Sequence, residues 1–181
     1  MADEQRGGAF RDLETPRLLL RGVGMADAAF LLRQFSNDEV NRYLFDAEPF
    51  STLAEAEELV RFYTGPAPRN QHRWILCHKD TGERLGTCGF HCWNRALGEI
   101  ELGYDLYPSY WKQGYMREAL TAALAFAKRE LGLRRVEAHV AEGNAASVRT
   151  LARQGFVDSG RTYDELFRGA AYLHRIYTLE F

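Results

Sequence analysis

The chain has 181 residues, 46% of them hydrophobic, 27% charged and 13% aromatic, with a formal net charge of −2. That length and balance fit one compact domain with a full core and exclude disordered, collagen-like and low-complexity classes. The near-neutral charge lacks the basic footprint of a nucleic-acid binder, and no apolar run reaches the roughly 20 residues of a membrane helix.

Met1 to Gly8 holds no apolar signal core, so residues 1–11 are expected to be a flexible lead-in and 12–181 the domain. Residues 15–21 read as an opening strand with Pro16 at its start. Helical spacing of Ala28, Leu31, Leu32 and Phe35 predicts a helix over 25–36, and a short helix or turn follows at 38–44. Ser51 or Thr52 can cap a third helix, 53–63, which Gly65 and its prolines stop. Residues 72–78 and 84–93 predict a hairpin across the turn 79–82.

Residues 98–106 form a further strand, with Ile100, Leu102, Tyr104 and Leu106 on one face and Glu99, Glu101 and Asp105 on the other. Gly103 in its middle suggests a bulge or a close backbone approach. Met116, Ala119, Leu120, Ala123, Leu124, Ala127 and Leu131 trace one stripe of a long helix, stopped by Gly132. A strand at 135–140, a helix capped by Asn144 and ended by Gly155, and two closing strands complete the chain. The long helix joins the strands at 98–106 and 135–140, which predicts a parallel pair with a right-handed crossover. The fold class is therefore α/β, a single domain with a mixed central sheet flanked by helices.

The three cysteines are Cys77, Cys88 and Cys92, and an odd number without a signal points to free thiols in a reducing, cytoplasmic setting. Cys88, His91 and Cys92 raise the question of zinc. Strand alternation sets His91 opposite both cysteines, and no second pair follows at motif spacing, so buried thiols and no metal are expected.

The stretch most informative about chemistry leads from the strand at 98–106 into the long helix, through Tyr110-Trp111-Lys112-Gln113-Gly114. Gly114 has no Cβ to obstruct a ligand. The helix start leaves N–H groups unpaired at the positive end of the dipole, with Lys112 and Arg117 adding charge. Taken alone, the glycine suits either a tight turn or an anion site such as a diphosphate. It is neither a Walker loop, for want of Gly-Lys-Ser/Thr, nor a dinucleotide fingerprint.

The run Glu101-Leu-Gly-Tyr-Asp-Leu-Tyr-Pro-Ser-Tyr-Trp-Lys-Gln-Gly-Tyr-Met-Arg-Glu-Ala119 resembles the acyl-CoA-binding motif of the GNAT acyltransferase superfamily. Asn144-Ala-Ala-Ser147, followed by Gln154-Gly155-Phe156, is similar to that family's next helix, and the order of elements fits from about residue 15. The wording Gly-Tyr-Asp-Leu, Tyr-Trp-Lys-Gln-Gly-Tyr-Met and Gly89-Phe90 most resembles its ribosomal-protein N-acetyltransferase (RimJ/RimL-like) branch. The resemblance implies a mostly antiparallel sheet whose one parallel pair splays to admit acetyl-CoA. It implies that backbone amides of Gln113, Gly114, Tyr115, Met116 and Arg117 hold the pyrophosphate. Backbone groups of Tyr104, Asp105 and Leu106 would pair with pantetheine, and Asn144 and Ser147 would contact the same arm. Trp111 and Met116 depart from the usual residues at the two ends of the loop.

Acetyl transfer to an amine requires a neutral amine, a donor for the thioester oxygen and a proton for the leaving thiolate. A backbone N–H near Tyr104 is the expected oxyanion donor. Glu101 is the first candidate base, set against a plain solvated strand face; Glu99 points the same way, and Asp164 and Glu165 are weaker options. The tyrosine that many family members carry as acid corresponds to Leu151 here. Ser147 matches a serine proposed for that role, although a helix-start hydrogen bond explains it equally. His91 and Trp93 border the expected acceptor pocket, and His91 could be a base or only a partner for a carboxylate. Asn41, Arg42, Tyr43 and Phe45 occupy the region that shapes acceptor choice in the resembling family. The expected activity is acetyl transfer to a primary amine, foremost a protein N-terminal α-amino group. An amino acid, polyamine or aminoglycoside acceptor and a non-catalytic acyl-CoA-binding module stand as alternatives. A homodimer across an exposed sheet edge is a further expectation.

Overall fold

The computed structural model describes residues 10–66 and 68–181. Most of the lead-in expected at 1–11 lies outside the described residues. Phe10 and Arg11 belong to the folded body instead. Phe10 stacks on His72 with ring centroids 4.8 Å apart, and the Arg11 carbonyl accepts from Trp74 Nε1 at 2.8 Å.

Among the described residues eight strands form one sheet, β1 (Leu13–Glu14), β2 (Leu18–Gly22), β3 (His72–His78), β4 (Arg84–Asn94), β5 (Glu99–Leu106), β6 (Arg135–Ala141), β7 (Val157–Phe167) and β8 (Ala170–Glu180). Their order is β1-β2-β3-β4-β5-β6-β8-β7, and β5–β6 is the parallel pair in an otherwise antiparallel ladder. The helices are α1 (Ala28–Phe35), α2 (Asp38–Asn41), α3 (Leu53–Thr64), α4 (Tyr115–Glu130) and α5 (Ala145–Ala152). The single opening strand is split in two, because Thr15 Oγ1 takes the Leu18 N–H at 2.8 Å and turns the chain at Pro16. Thr52 caps α3 in a reciprocal box with Glu55, the arrangement its Thr-x-x-Glu spacing offers. Among the described residues no helix is long and apolar enough to cross a membrane.

α4 supplies the crossover between β5 and β6 and packs on one sheet face. Ala119, Ala123 and Ala127 are fully buried along it, and these short side chains let the helix axis approach the sheet while Leu120 and Phe126 fill the flanks. The other face carries α1 and α3 over a smaller core of Leu31, Ala56, Val60 and Ile75.

Two glycines of β4 mark places where another chain segment comes too near for a side chain. A Cβ at Gly89 would lie 2.2 Å from the His72 carbonyl oxygen, and one at Gly86 would lie 2.3 Å from that of Asp105. Both neighbours are backbone, so they cannot swing aside. Gly89→Ala is expected to lower stability by about 1–3 kcal/mol, the usual cost of overpacking, read as a lower urea midpoint at unchanged slope. A midpoint equal to wild type would mean that β3 and β4 are not so closely apposed.

Gly103 is a correction to the sequence reading. It sits in register opposite Gly89 with no bulge, and its open side faces Arg73 and His91 at 3.6 Å. The bulge lies on β4, between His91 and Asn94.

Candidate active site

The β5–β6 ladder starts at Glu99 and Arg135 and stops at Glu101 and Glu137. Beyond it β5 stays paired with β4 to Leu106, and β6 stays paired with β8 to Ala141, so the two parallel strands diverge. Alternation along β5 decides which backbone groups face the gap. Tyr107 N–H bonds to the Leu85 carbonyl on β4 at 2.8 Å. Residues two and four earlier, Asp105 and Gly103, therefore also turn their amides to β4, while Leu102, Tyr104 and Leu106 turn theirs to the gap. The Leu106 carbonyl is already taken by Trp111 Nε1 at 2.6 Å. Of the three residues expected to pair with a ligand through their backbone, Tyr104 remains fully available.

The side chain of Asp105 explains its different place. Its carboxylate accepts from Gln34 Nε2 at 2.8 Å, Thr87 Oγ1 at 2.5 Å and Arg73 at 3.1 Å, and only 7% of it is exposed. Burial pushes this carboxyl up, while Arg73, Thr87 and Gln34 pull it back toward the ionised form. The cluster ties β5 to β3, β4 and α1 just where β5 loses β6 as a partner. It thereby holds one wall of the gap in place.

At the open end of the gap, just past β5, is the loop into α4. Lys112 and Gly114 both have positive φ, 60° and 83°, on either side of Gln113. Alternation of this kind curls successive N–H groups into one concave, anion-accepting face. Glu118 N–H is the first to find a helical carbonyl, that of Gly114 at 3.1 Å. The amides of Tyr115, Met116 and Arg117 precede it at the helix start and have no intrahelical partner. Arg17 buttresses the loop from behind, bonding to the Gln113 carbonyl at 3.1 Å and to Glu118 at 2.7 Å. Lys112 and Arg117 are exposed and make no ion pair among the described residues. Donors and positive charge with no partner of their own suit a diphosphate.

Across the gap Asn144 caps α5, its Oδ1 accepting from Ser147 N–H at 3.2 Å. Ser147 Oγ is 2.8 Å from the Tyr104 hydroxyl, and burial pushes that phenol up to about 12. The sequence reading used only the backbone of Tyr104. The structure adds its hydroxyl, which stays protonated through the neutral range beside Ser147. Leu151 is fully buried in the core.

Glu101 stands where the parallel ladder ends. His91 Nε2 lies 3.2 Å from its Oε2, and His139 Nδ1 lies 3.8 Å from the same atom. Hydrogen bonding from His91 holds this carboxyl below its usual range against partial desolvation, with His139 helping. Glu99 is spent elsewhere, on Arg135 at 2.9 Å. Tyr163 extends the wall, edge-on to His139 at 5.4 Å and stacked on His174 at 5.1 Å. Phe45 stacks on Tyr172 at 3.8 Å, and Tyr43 reaches the turn at Gly143. The segment after α2 thus closes over the far side of the gap.

Other candidates fall outside this wall. Trp93 is buried beside Phe10 in the opposite core. Asn41 is occupied by the Phe35 and Asn37 carbonyls, and Arg42 lies over the Tyr43 ring. Glu165 shares the face of Tyr163, whereas Asp164 points to the other side of β7. His139, Tyr163 and His174 were not singled out from the sequence. Alternation in Arg135-Val-Glu-Ala-His does place Glu137 and His139 together on one face, but only the strand order brings that face to Glu101.

The cysteines differ from expectation. Cys88 is buried, and burial pushes its thiol up to about 12, but Cys77 is half-buried and Cys92 exposed. The bulge puts Cys92 at φ 53° and turns it to the side of His91, leaving Cys88 on the other face.

The splayed parallel pair and the curled turn are what an acyltransferase site would use, and comparison with known proteins supplies the class. The acetyltransferase (GNAT) domain matches residues 17–157, and the chain belongs to this family of N-acetyltransferases. YoaA, an N-acetyltransferase of Bacillus subtilis, is 31% identical over 172 residues, 94% of this chain and 97% of the relative. The spermidine N-acetyltransferase of Vibrio cholerae, solved with CoA and spermine, superposes with a TM-score of 0.80 at 21% identity, covering 91% of this chain and 95% of that one. A candidate ribosomal-protein-serine acetyltransferase from the same organism gives 0.75 at 20% identity, covering 93% and 97%. At these identities the two structures speak for the fold.

Proposed function

We propose that the protein transfers the acetyl group of acetyl-CoA directly to a primary amine, and that the amine is a protein N-terminal α-amino group. The observation that carries this is Glu101, an ionised carboxylate at the point where β5 and β6 part, within reach of both a gap ligand and the aromatic wall. In this reading the loop amides from Gln113 to Arg117 bind the pyrophosphate. The free β5 edge at Tyr104 pairs with the pantetheine arm, and its N–H receives the charge that develops on the thioester oxygen. Glu101 takes the proton from the attacking amine, directly or through water. The hydroxyls of Ser147 and Tyr104 form one donor pair positioned to return a proton to the leaving thiolate.

The state of Glu101 bears on the acceptor. A carboxylate held below its usual range is a weak base, so it suits an amine that is already partly neutral. At pH 7 an α-amino group of pKa about 8 is roughly one-tenth neutral, against a few in ten thousand for an alkylamine near 10.4. The solved structures of the same fold, a candidate ribosomal-protein acetyltransferase and a spermidine enzyme, supply the two acceptors to compare.

Purified protein would be given acetyl-CoA with a short peptide bearing a free N-terminus, the same peptide blocked at its N-terminus but carrying lysine, or spermidine, and CoA release followed. Turnover with the free peptide alone is expected. Turnover confined to spermidine would replace the acceptor, and tight acetyl-CoA binding without turnover of any amine would leave only a binding module.

A further inference from the structure

Beside His91 and Glu101 the bulge of β4 brings in a side chain, that of Cys92, which the transfer reaction does not use. Regular alternation would send the Cys92 side chain through the sheet, away from His91. Cys92 instead adopts φ 53°, a left-handed conformation that strains a non-glycine residue. The shift in register between His91 and Asn94 holds it there. One ligand atom each from His91, Cys92 and Glu101 then lies within 4.8 Å of the others. We propose that these three side chains form a binding site for Zn²⁺, and that an occupied site inhibits acetyl transfer by withdrawing Glu101 from the amine.

The donor set selects the ion. A nitrogen, a sulfur and a carboxylate oxygen suit a borderline-soft ion such as Zn²⁺ or Co²⁺, whereas Mg²⁺ and Ca²⁺ require oxygen shells. In tetrahedral zinc sites, bonds of about 2.0–2.3 Å set ligand atoms about 3.3–3.8 Å apart. His91 Nε2 and Glu101 Oε2, 3.2 Å apart, are already close to that spacing, and side-chain rotation of the exposed Cys92 brings in the third ligand. The fourth position is open to water or to His139, whose Nδ1 is 3.8 Å from Glu101. As the metal binds, the Cys92 S–H bond breaks and its proton leaves to solvent, and the His91 proton passes from Nε2 to Nδ1 so that the Nε2 lone pair takes the ion. Two anionic ligands then neutralise the dication, with no change of oxidation state.

The outer shell sets the strength. A metal-bound imidazole normally donates its second N–H to a fixed acceptor. His91 Nδ1 is buried and has no hydrogen-bond partner among the described residues. The site is therefore exchangeable and responsive to free metal, not a permanent structural centre. The inhibitory half of the proposal rests on Glu101 acting as the base, and the binding half does not.

Co²⁺ is the probe, because a tetrahedral thiolate site gives visible d–d bands and a near-ultraviolet thiolate-to-cobalt charge-transfer band. Titration of the wild-type protein is expected to saturate both at one equivalent, with Zn²⁺ displacing the colour. Cys77→Ser should keep the charge-transfer band and Cys92→Ser should lose it. Zn²⁺ should also inhibit wild-type turnover reversibly, with chelator restoring it. Cys92→Ser should need at least tenfold more Zn²⁺ for half inhibition relative to its own metal-free rate. Absence of a charge-transfer band in the folded wild-type protein, or its survival in Cys92→Ser, would overturn the site. A saturated cobalt site together with turnover insensitive to Zn²⁺ would overturn the inhibitory half and count against Glu101 as the base.

Discussion

Gly114→Asp is expected to weaken acetyl-CoA binding by about 100-fold or more while leaving the protein folded. Two effects contribute, and they can be separated. Gly114 has φ 83°, so any side chain there carries left-handed strain of about 1–2 kcal/mol. A Cβ would meet only the far end of Arg17, at 3.4 Å, a flexible neighbour that can yield. The second effect is charge. A carboxylate about 5 Å from a pyrophosphate charge, in surroundings of effective dielectric about 20, adds roughly 3 kcal/mol of repulsion. Gly114→Ala carries the strain alone, so the difference between the two variants measured by calorimetric titration reports the charge. Equal affinities for Gly114→Asp and Gly114→Ala would show that the phosphates lie elsewhere.

Glu101→Gln is the second large effect. The amide is nearly isosteric and accepts no proton, so acetyl-CoA affinity should stay within about twofold while turnover falls by about 100-fold, the lower end for loss of general base catalysis. The pH dependence follows from the direction of the Glu101 shift. Because its folded pKa is depressed, the carboxylate remains ionised throughout the neutral range and does not itself titrate there. The wild-type rate should therefore rise with pH as the amine loses its proton, near pH 8 for an α-amino group. The variant should suffer most at the acid end of that range, where free amine is scarcest and assistance matters most. Turnover equal to wild type from about pH 6 to about pH 9 would remove Glu101 as the base and leave its histidine contacts as structure.

His91 and His139 qualify this picture in a way the sequence alone did not show. Both approach the same oxygen of Glu101. They hold the carboxylate ionised and oriented, but a base so held has less proton affinity to offer. The balance suits a weakly basic acceptor, and two members of the cluster, His91 and Glu101, belong with Cys92 to the proposed metal site.

Much of the architecture was legible from local pattern. The α4 stripe, its Gly114 start, the Thr52 cap and the Asn144 cap each depend on spacing within one or two turns. The parallel β5–β6 pair followed from the long helix between two strands, because a crossover of that length leaves few alternatives. The turn at Gly114 read from its residues as either a tight turn or an anion site, and its reading as an acyl-CoA loop came from the resemblance of the consecutive run around it.

What the amino-acid sequence determined by itself is therefore the kind of elements, their order and the glycine turn that opens α4, all set by neighbours a few residues apart. Tertiary structure alone decided which atoms surround Glu101, why Asp105 turns away from the gap, and that the Tyr104 hydroxyl meets Ser147. His139 reaches Glu101 only because β6 lies beside β5, and Cys92 reaches it only because one extra residue in β4 reverses its side. Strand register and bulges arise from pairing between distant segments, where a one-residue shift exchanges the two faces of a strand. No local pattern in the sequence encodes that choice.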